Sequence, residues 1–87
     1  MIRYTVLWRK DLIGELADLW MAYYDRRQIA VAVDQIDEDL STDAHLKGDH
    51  FRVGERSIAR GPLTAFFRVD EGDRKVIVED IWLTESN

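Results

Sequence analysis

Four arginines in the second half of the chain are the side chains best suited to chemistry: Arg52, Arg56, Arg60 and Arg68. The planar guanidinium group of arginine binds a carboxylate or a phosphate through two hydrogen bonds at once. Arg56 and Arg60 are four residues apart, so they point the same way if this segment is a strand, and Arg68 on the next strand can join them. The pattern predicts a binding patch for an acidic peptide or for a nucleic-acid backbone.

The same arginines have a second interpretation. Asp49, Glu55, Glu79 and Asp80 fall on the same predicted sheet. Surface ion pairs are common and contribute little to stability. The arginines would then pair within the molecule, and both interpretations stay open at this stage.

Phe66 extends the candidate binding set. It alternates with Thr64 and Arg68 on the face of its predicted strand that points away from the helices. An exposed aromatic ring in that position suggests a groove for a partner.

The two histidines, His45 and His50, lie in a polar loop without a third ligand, so we expect no metal site. The chain has no glycine-rich phosphate loop, and we expect no cofactor.

The spacing of apolar residues predicts the elements that position these side chains. Apolar residues recur at helical spacing from 12 to 24 and again from 29 to 40, and Asp25 is the predicted cap of the second helix. Runs rich in β-branched and aromatic residues predict strands at 4–9, 51–53, 57–60, 63–69 and 75–83. We expect an α+β fold of order β-α-α-β-β-β, with a helical hairpin on one face of a twisted antiparallel sheet. The first strand is expected to pair inside that sheet. In the strand 63–69, one set of alternating residues is expected to pack under the helices: Leu63, Ala65, Phe67 and Val69.

Length and composition limit the classes of protein. Eighty-seven residues make one domain, 1–87, with a modest core. The absence of cysteine excludes disulfides and thiolate sites. The net charge is −5, but residues 11–43 carry nine acids against two arginines (−7), while residues 44–69 carry five cations against two acids (+3). Without a long apolar stretch, we expect a soluble cytoplasmic protein.

The sequence resembles the RelE/ParE superfamily of toxins from bacterial toxin–antitoxin systems, also called plasmid stabilization proteins. The similarity is carried by residues 4–8, 16–20 and 30–40 and above all by Gly61-Pro62-Leu63 with the runs 66–69 and 76–78. The resemblance implies the toxin component of a type II pair, neutralised by a cognate antitoxin. It further implies one of two targets, the ribosome with its mRNA or DNA gyrase.

The mRNA-cleaving branch of that superfamily uses basic residues on the central strands and Arg, Tyr or His near the end of the last strand. Cleavage by the 2′-hydroxyl needs a proton acceptor, cations on the phosphate and a donor to the leaving oxygen. In this sequence the corresponding strand positions are Thr64 and Phe67, and residues 81–87 contain no Arg, Tyr or His. The catalytic candidates for such a reaction are Arg56, Arg60 and Arg68. The alternatives to a binding toxin are therefore a ribosome-dependent mRNA endonuclease and a non-toxic relative that acts as a protein-interaction module.

Overall fold

The computed structural model describes residues 1–22 and 25–83. Its elements follow the order β1 (Thr5–Trp8), α1 (Lys10–Ala22), α2 (Arg26–Leu40), a 3₁₀ turn (Ala44–Leu46), β2 (Asp49–Arg52), β3 (Glu55–Arg60), β4 (Leu63–Asp70) and β5 (Lys75–Leu83). The α+β fold predicted from the sequence is confirmed, with two helices packed on one open sheet. The predicted end of the first helix, near residue 24, lies outside the described residues.

The five strands form one sheet in the order β1-β5-β4-β3-β2. Strands β2 to β5 are an antiparallel meander, whereas β1 runs parallel to β5. The sheet is therefore mixed, and the expected purely antiparallel arrangement needs this correction. The first strand is also an edge strand, because it pairs only with β5. Its parallel direction follows from the two helices between β1 and the meander, which carry the chain back to the same end of the sheet.

The core lies between α2 and the face of the sheet that we call the helix-side face. Ile29, Ala32, Ile36 and Leu40 line the buried stripe of α2. Leu63, Ala65 and Phe67 of β4 pack in the same cluster, as predicted from their alternation. Asp25 caps α2, since its side chain accepts a hydrogen bond from the backbone N–H of Arg27.

Helix α1 is less deeply buried than α2. Leu12 is its one buried residue, and Leu16 and Leu19 are half-buried against the core. Ile13, Trp20 and Met21 are exposed to solvent. Helix α1 therefore leaves apolar surface that the described residues do not cover.

Gly48 fixes the path of the chain from α2 into β2. Its φ is +73°, in the left-handed region that glycine adopts without strain. A Cβ at this position would lie 2.6 Å from the backbone oxygen of Ser57 and 2.9 Å from Cζ of Phe67. Glycine is required here for both reasons.

Candidate functional site

The hairpin joining β3 to β4 places Arg56 and Arg60 on the helix-side face. Across this hairpin Arg60 pairs with Leu63 and Arg56 pairs with Phe67. Residues directly opposite each other on neighbouring strands point to the same face of a sheet. The two arginines point the same way, as predicted. Arg68 follows Phe67 on β4 and so points to the opposite, outer face. The prediction that Arg68 joins Arg56 and Arg60 in one patch is wrong in this respect.

Arg56 and Arg60 attach the sheet to the loop and helix above it. Nη1 of Arg56 donates to the backbone oxygens of His45 (2.6 Å) and Lys47 (3.1 Å). Nε of Arg60 donates to Oδ2 of Asp39 at the end of α2 (2.6 Å). Both guanidinium groups therefore have structural partners in the folded chain.

Arg52 and Arg68 lie on the outer face with two glutamates between them. Nε of Arg52 is 3.0 Å from Oε1 of Glu55, and Nε of Arg68 is 2.6 Å from Oε1 of Glu79. Phe66 pairs with Asp80 but Phe67 pairs with Val78, so Glu79 is an extra residue that bulges from β5. The bulge places Glu79 beside the Arg68 side chain. The internal ion pairing that was the second interpretation thus describes these two arginines, with Glu55 and Glu79 as partners.

Glu55 is the one buried charged residue among those described, 8% exposed. Burial, followed by a hydrogen bond with Glu79, raises the pKa of this carboxyl, and the charge of Arg52 opposes the rise only in part. Glu55 and Glu79 are therefore a carboxyl pair held between two arginines. The sequence alone indicates a turn or a bulge at Gly54 and Glu55, but Glu55 is the first residue of β3.

Phe66 lies at the centre of an aromatic cluster on the outer face. Its ring centroid is 4.5 Å from that of Phe51 and 5.1 Å from that of Trp82. Phe66 is 6% exposed, while Phe51 and Trp82 are 41% and 57% exposed. The predicted face is correct, but the expectation of an exposed ring at Phe66 is wrong, because its two neighbours cover it. A partner on this face would touch Phe51 and Trp82.

The two histidines face an open polar cavity of about 370 Å³ beside β2 and β3. The lining residues include His45, His50, Glu55 and Arg56. Nδ1 of His45 is 2.9 Å from the hydroxyl of Tyr4, so this ring is held by the core. Within residues 1–22 and 25–83, no group of three or more potential ligands is close enough to hold a metal ion.

A second groove, which sequence reasoning missed, separates α1 from the end of β5. It measures about 460 Å³ and is lined by Glu15, Asp18, Leu19, Ala22, Asp80, Ile81 and Trp82. Asp18, Leu19 and Ala22 follow Glu15 by three, four and seven residues, which puts all four on one stripe of α1. That spacing is visible in the sequence, but the position of β5 beside it is not.

Neither helix in the described part of the chain has the length and apolarity to cross a bilayer.

Comparison with known proteins identifies the fold. No family model matches the chain, and no curated protein matches it significantly in sequence. The chain is similar in structure to one in the toxin–antitoxin complex RelBE2 from Mycobacterium tuberculosis, with a TM-score of 0.79 and 24% identity over 99% of this chain and 97% of that chain. It is also similar to a chain of the chromosomal ParDE system from P. aeruginosa, with a TM-score of 0.62 and 19% identity over 98% and 100% of the two chains. The fold is therefore that of the RelE/ParE type, as the resemblance implied.

Proposed function

We propose that this chain is the toxin component of a type II toxin–antitoxin pair and acts by binding, with neutralisation by a cognate antitoxin. The observation that carries the proposal is the similarity over 99% of the chain to a structure described as a toxin–antitoxin complex. The uncovered apolar surface of α1, with Ile13, Trp20 and Met21 exposed, supports a protein partner.

The endonuclease alternative receives no such support from the site. Its three candidate arginines, Arg56, Arg60 and Arg68, lie on two opposite faces of the sheet. Each of them is hydrogen-bonded to another group of this chain. These bonds use only part of the five N–H donors of each guanidinium group, but they hold the three side chains on opposite faces, so one phosphate could not contact all three. We therefore propose no catalytic set, and the ribosome and DNA gyrase remain the two targets that the resemblance suggests.

The test is co-expression with the protein encoded by the adjacent open reading frame. We expect a stable complex on affinity purification through a tag on this chain. We also expect growth to stop when this chain is induced alone and to recover when the neighbour is induced with it. Expression of the neighbour alone is the control.

Two other results would be decisive. Complex formation with unaffected growth would favour the non-toxic interaction module over the toxin. Failure of any adjacent gene product to form a complex would contradict the proposal itself.

A further inference from the structure

We propose that the groove between α1 and β5 binds an extended, positively charged segment of the partner protein. This inference rests on the proposed function, because the partner is the antitoxin. The charge of the bound segment is the reverse of that expected from the sequence, which predicted an acidic peptide or a nucleic-acid backbone on the arginines.

The first support is the balance of charge at the groove. Glu15, Asp18 and Asp80 line it, and no lysine or arginine is among the described residues that do so. Glu15 and Asp18 form no ion pair with any other residue in the described ranges. No basic residue lies in the last described turn of α1. A cationic segment is the complementary occupant.

The second support is the apolar floor. Leu19 and Ala22 of α1 face Ile81 and Trp82 of β5 across the groove. Lysine and arginine side chains can lay their aliphatic stems on such a surface while their charged ends reach the carboxylates at its rim. A partner with apolar and basic residues in alternation would fill the groove better than a uniformly charged one.

The third support is an open strand edge. β1 pairs with β5 only from Lys75 to Val78, so the stretch from residue 79 to 83 has β4 on one side and, within residues 1–22 and 25–83, no strand on the other. The backbone N–H of Ile81 donates to the carboxylate of Asp80 at 2.9 Å, a side-chain bond in place of a strand partner. Leu83 is two residues further along, so its N–H points the same way. An unpaired edge accepts an extended segment through main-chain hydrogen bonds, which is why we infer a strand and not a helix.

The experiment compares complexes of the full chain with the co-purified partner. In the variant E15K/D18K we expect affinity to fall on the order of tenfold or more, because two attractions become repulsions. The neutral variant E15Q/D18N should lie between it and the unmodified chain. The control E71K/D73K makes the same charge change on the exposed β4–β5 turn and should stay within about twofold. Thermal unfolding followed by circular dichroism verifies that all variants fold.

Hydrogen exchange on the complex is the second measurement. We expect the amides of Ile81 and Leu83 to exchange more slowly when the partner is bound. Equal affinities for E15K/D18K and E71K/D73K in a complex that does form would overturn the groove assignment and leave the proposed function standing. Unchanged exchange at both amides would overturn the strand pairing. A self-association that E15K/D18K abolishes would assign the groove to a second copy of this chain, and absence of any complex would overturn both proposals.

Discussion

Replacing Phe66 by alanine distinguishes a structural ring from a binding ring on the outer face. Phe66 is 6% exposed and lies between Phe51 and Trp82. Truncating a fully buried phenylalanine to alanine costs about 3–5 kcal/mol. Because Phe51 and Trp82 are 41% and 57% exposed, they can move into part of the space, and the cost should fall to about 2–3 kcal/mol. We therefore expect Phe66→Ala to act through the free energy of unfolding.

The size of the protein makes this loss easy to measure. A chain of this length has a free energy of unfolding on the order of 4–13 kcal/mol. In so small a domain each kcal/mol lowers Tm by about 4–8 °C, so Tm should fall by roughly 8–24 °C. Urea unfolding followed by tryptophan fluorescence gives the free energy, with Phe67→Ala in the main core as the larger reference change. A loss below about 1 kcal/mol with an unchanged m value would refute the reasoning, because Phe66 would then not be holding the cluster together.

Two further substitutions test the buried acid and the required glycine. Because burial raises the pKa of Glu55, the ionised carboxylate is less favourable in the folded chain than in the unfolded chain. This destabilisation of the folded chain is absent below the ordinary glutamate pKa and grows as pH rises through the raised pKa. Glu55→Gln should therefore gain stability relative to the unmodified chain between pH 4 and 7 in urea titrations, and a constant difference would contradict this. Gly48→Ala should cost about 2 kcal/mol or more, since its Cβ would lie 2.6 Å from the backbone oxygen of Ser57 at a left-handed φ. Gly14→Ala is the matched control: nothing lies within 4 Å of that Cβ, and α1 should become more stable by up to about 1 kcal/mol. Equal costs at the two glycines would refute the steric argument.

Periodicity and turn residues were sufficient to predict most of the fold. The apolar repeat ending at Leu40 and the alternation from Leu63 to Val69 each state which side of an element is buried, and both are correct. The partner of β1 could not be predicted in this way. It is β5, about seventy residues away in the chain, and no local pattern records which strand a distant segment joins. Once β5 is the partner, the helical hairpin and the three strand reversals that follow make the pairing parallel.

The faces of Arg56 and Arg60 could have been predicted from the turn between their strands. Gly61 and Pro62 form a two-residue turn, which requires Arg60 to pair with Leu63 and Arg56 with Phe67. Leu63 and Phe67 were already assigned to the helix-side face, so the same face followed for both arginines. What the sequence does not contain is the position of their partners. Asp39 and the carbonyl oxygens of the loop after α2 reach them only once the helices pack on the sheet.

The pairing of the arginines changes what a partner would meet at the surface. Arg52, Arg60 and Arg68 each have a carboxylate partner within the chain, so three of the five positive charges in residues 44–69 are offset inside the molecule. The acids of α1 at the groove have no such partners among the described residues. Residue counts along the sequence predict a positive binding face on the strands, whereas these unpaired acids in the folded chain lie on the α1 side of the groove. For an 87-residue protein of net charge −5, the sign of the charge that the groove offers to the proposed partner thus depends on which side chains the fold has already neutralised.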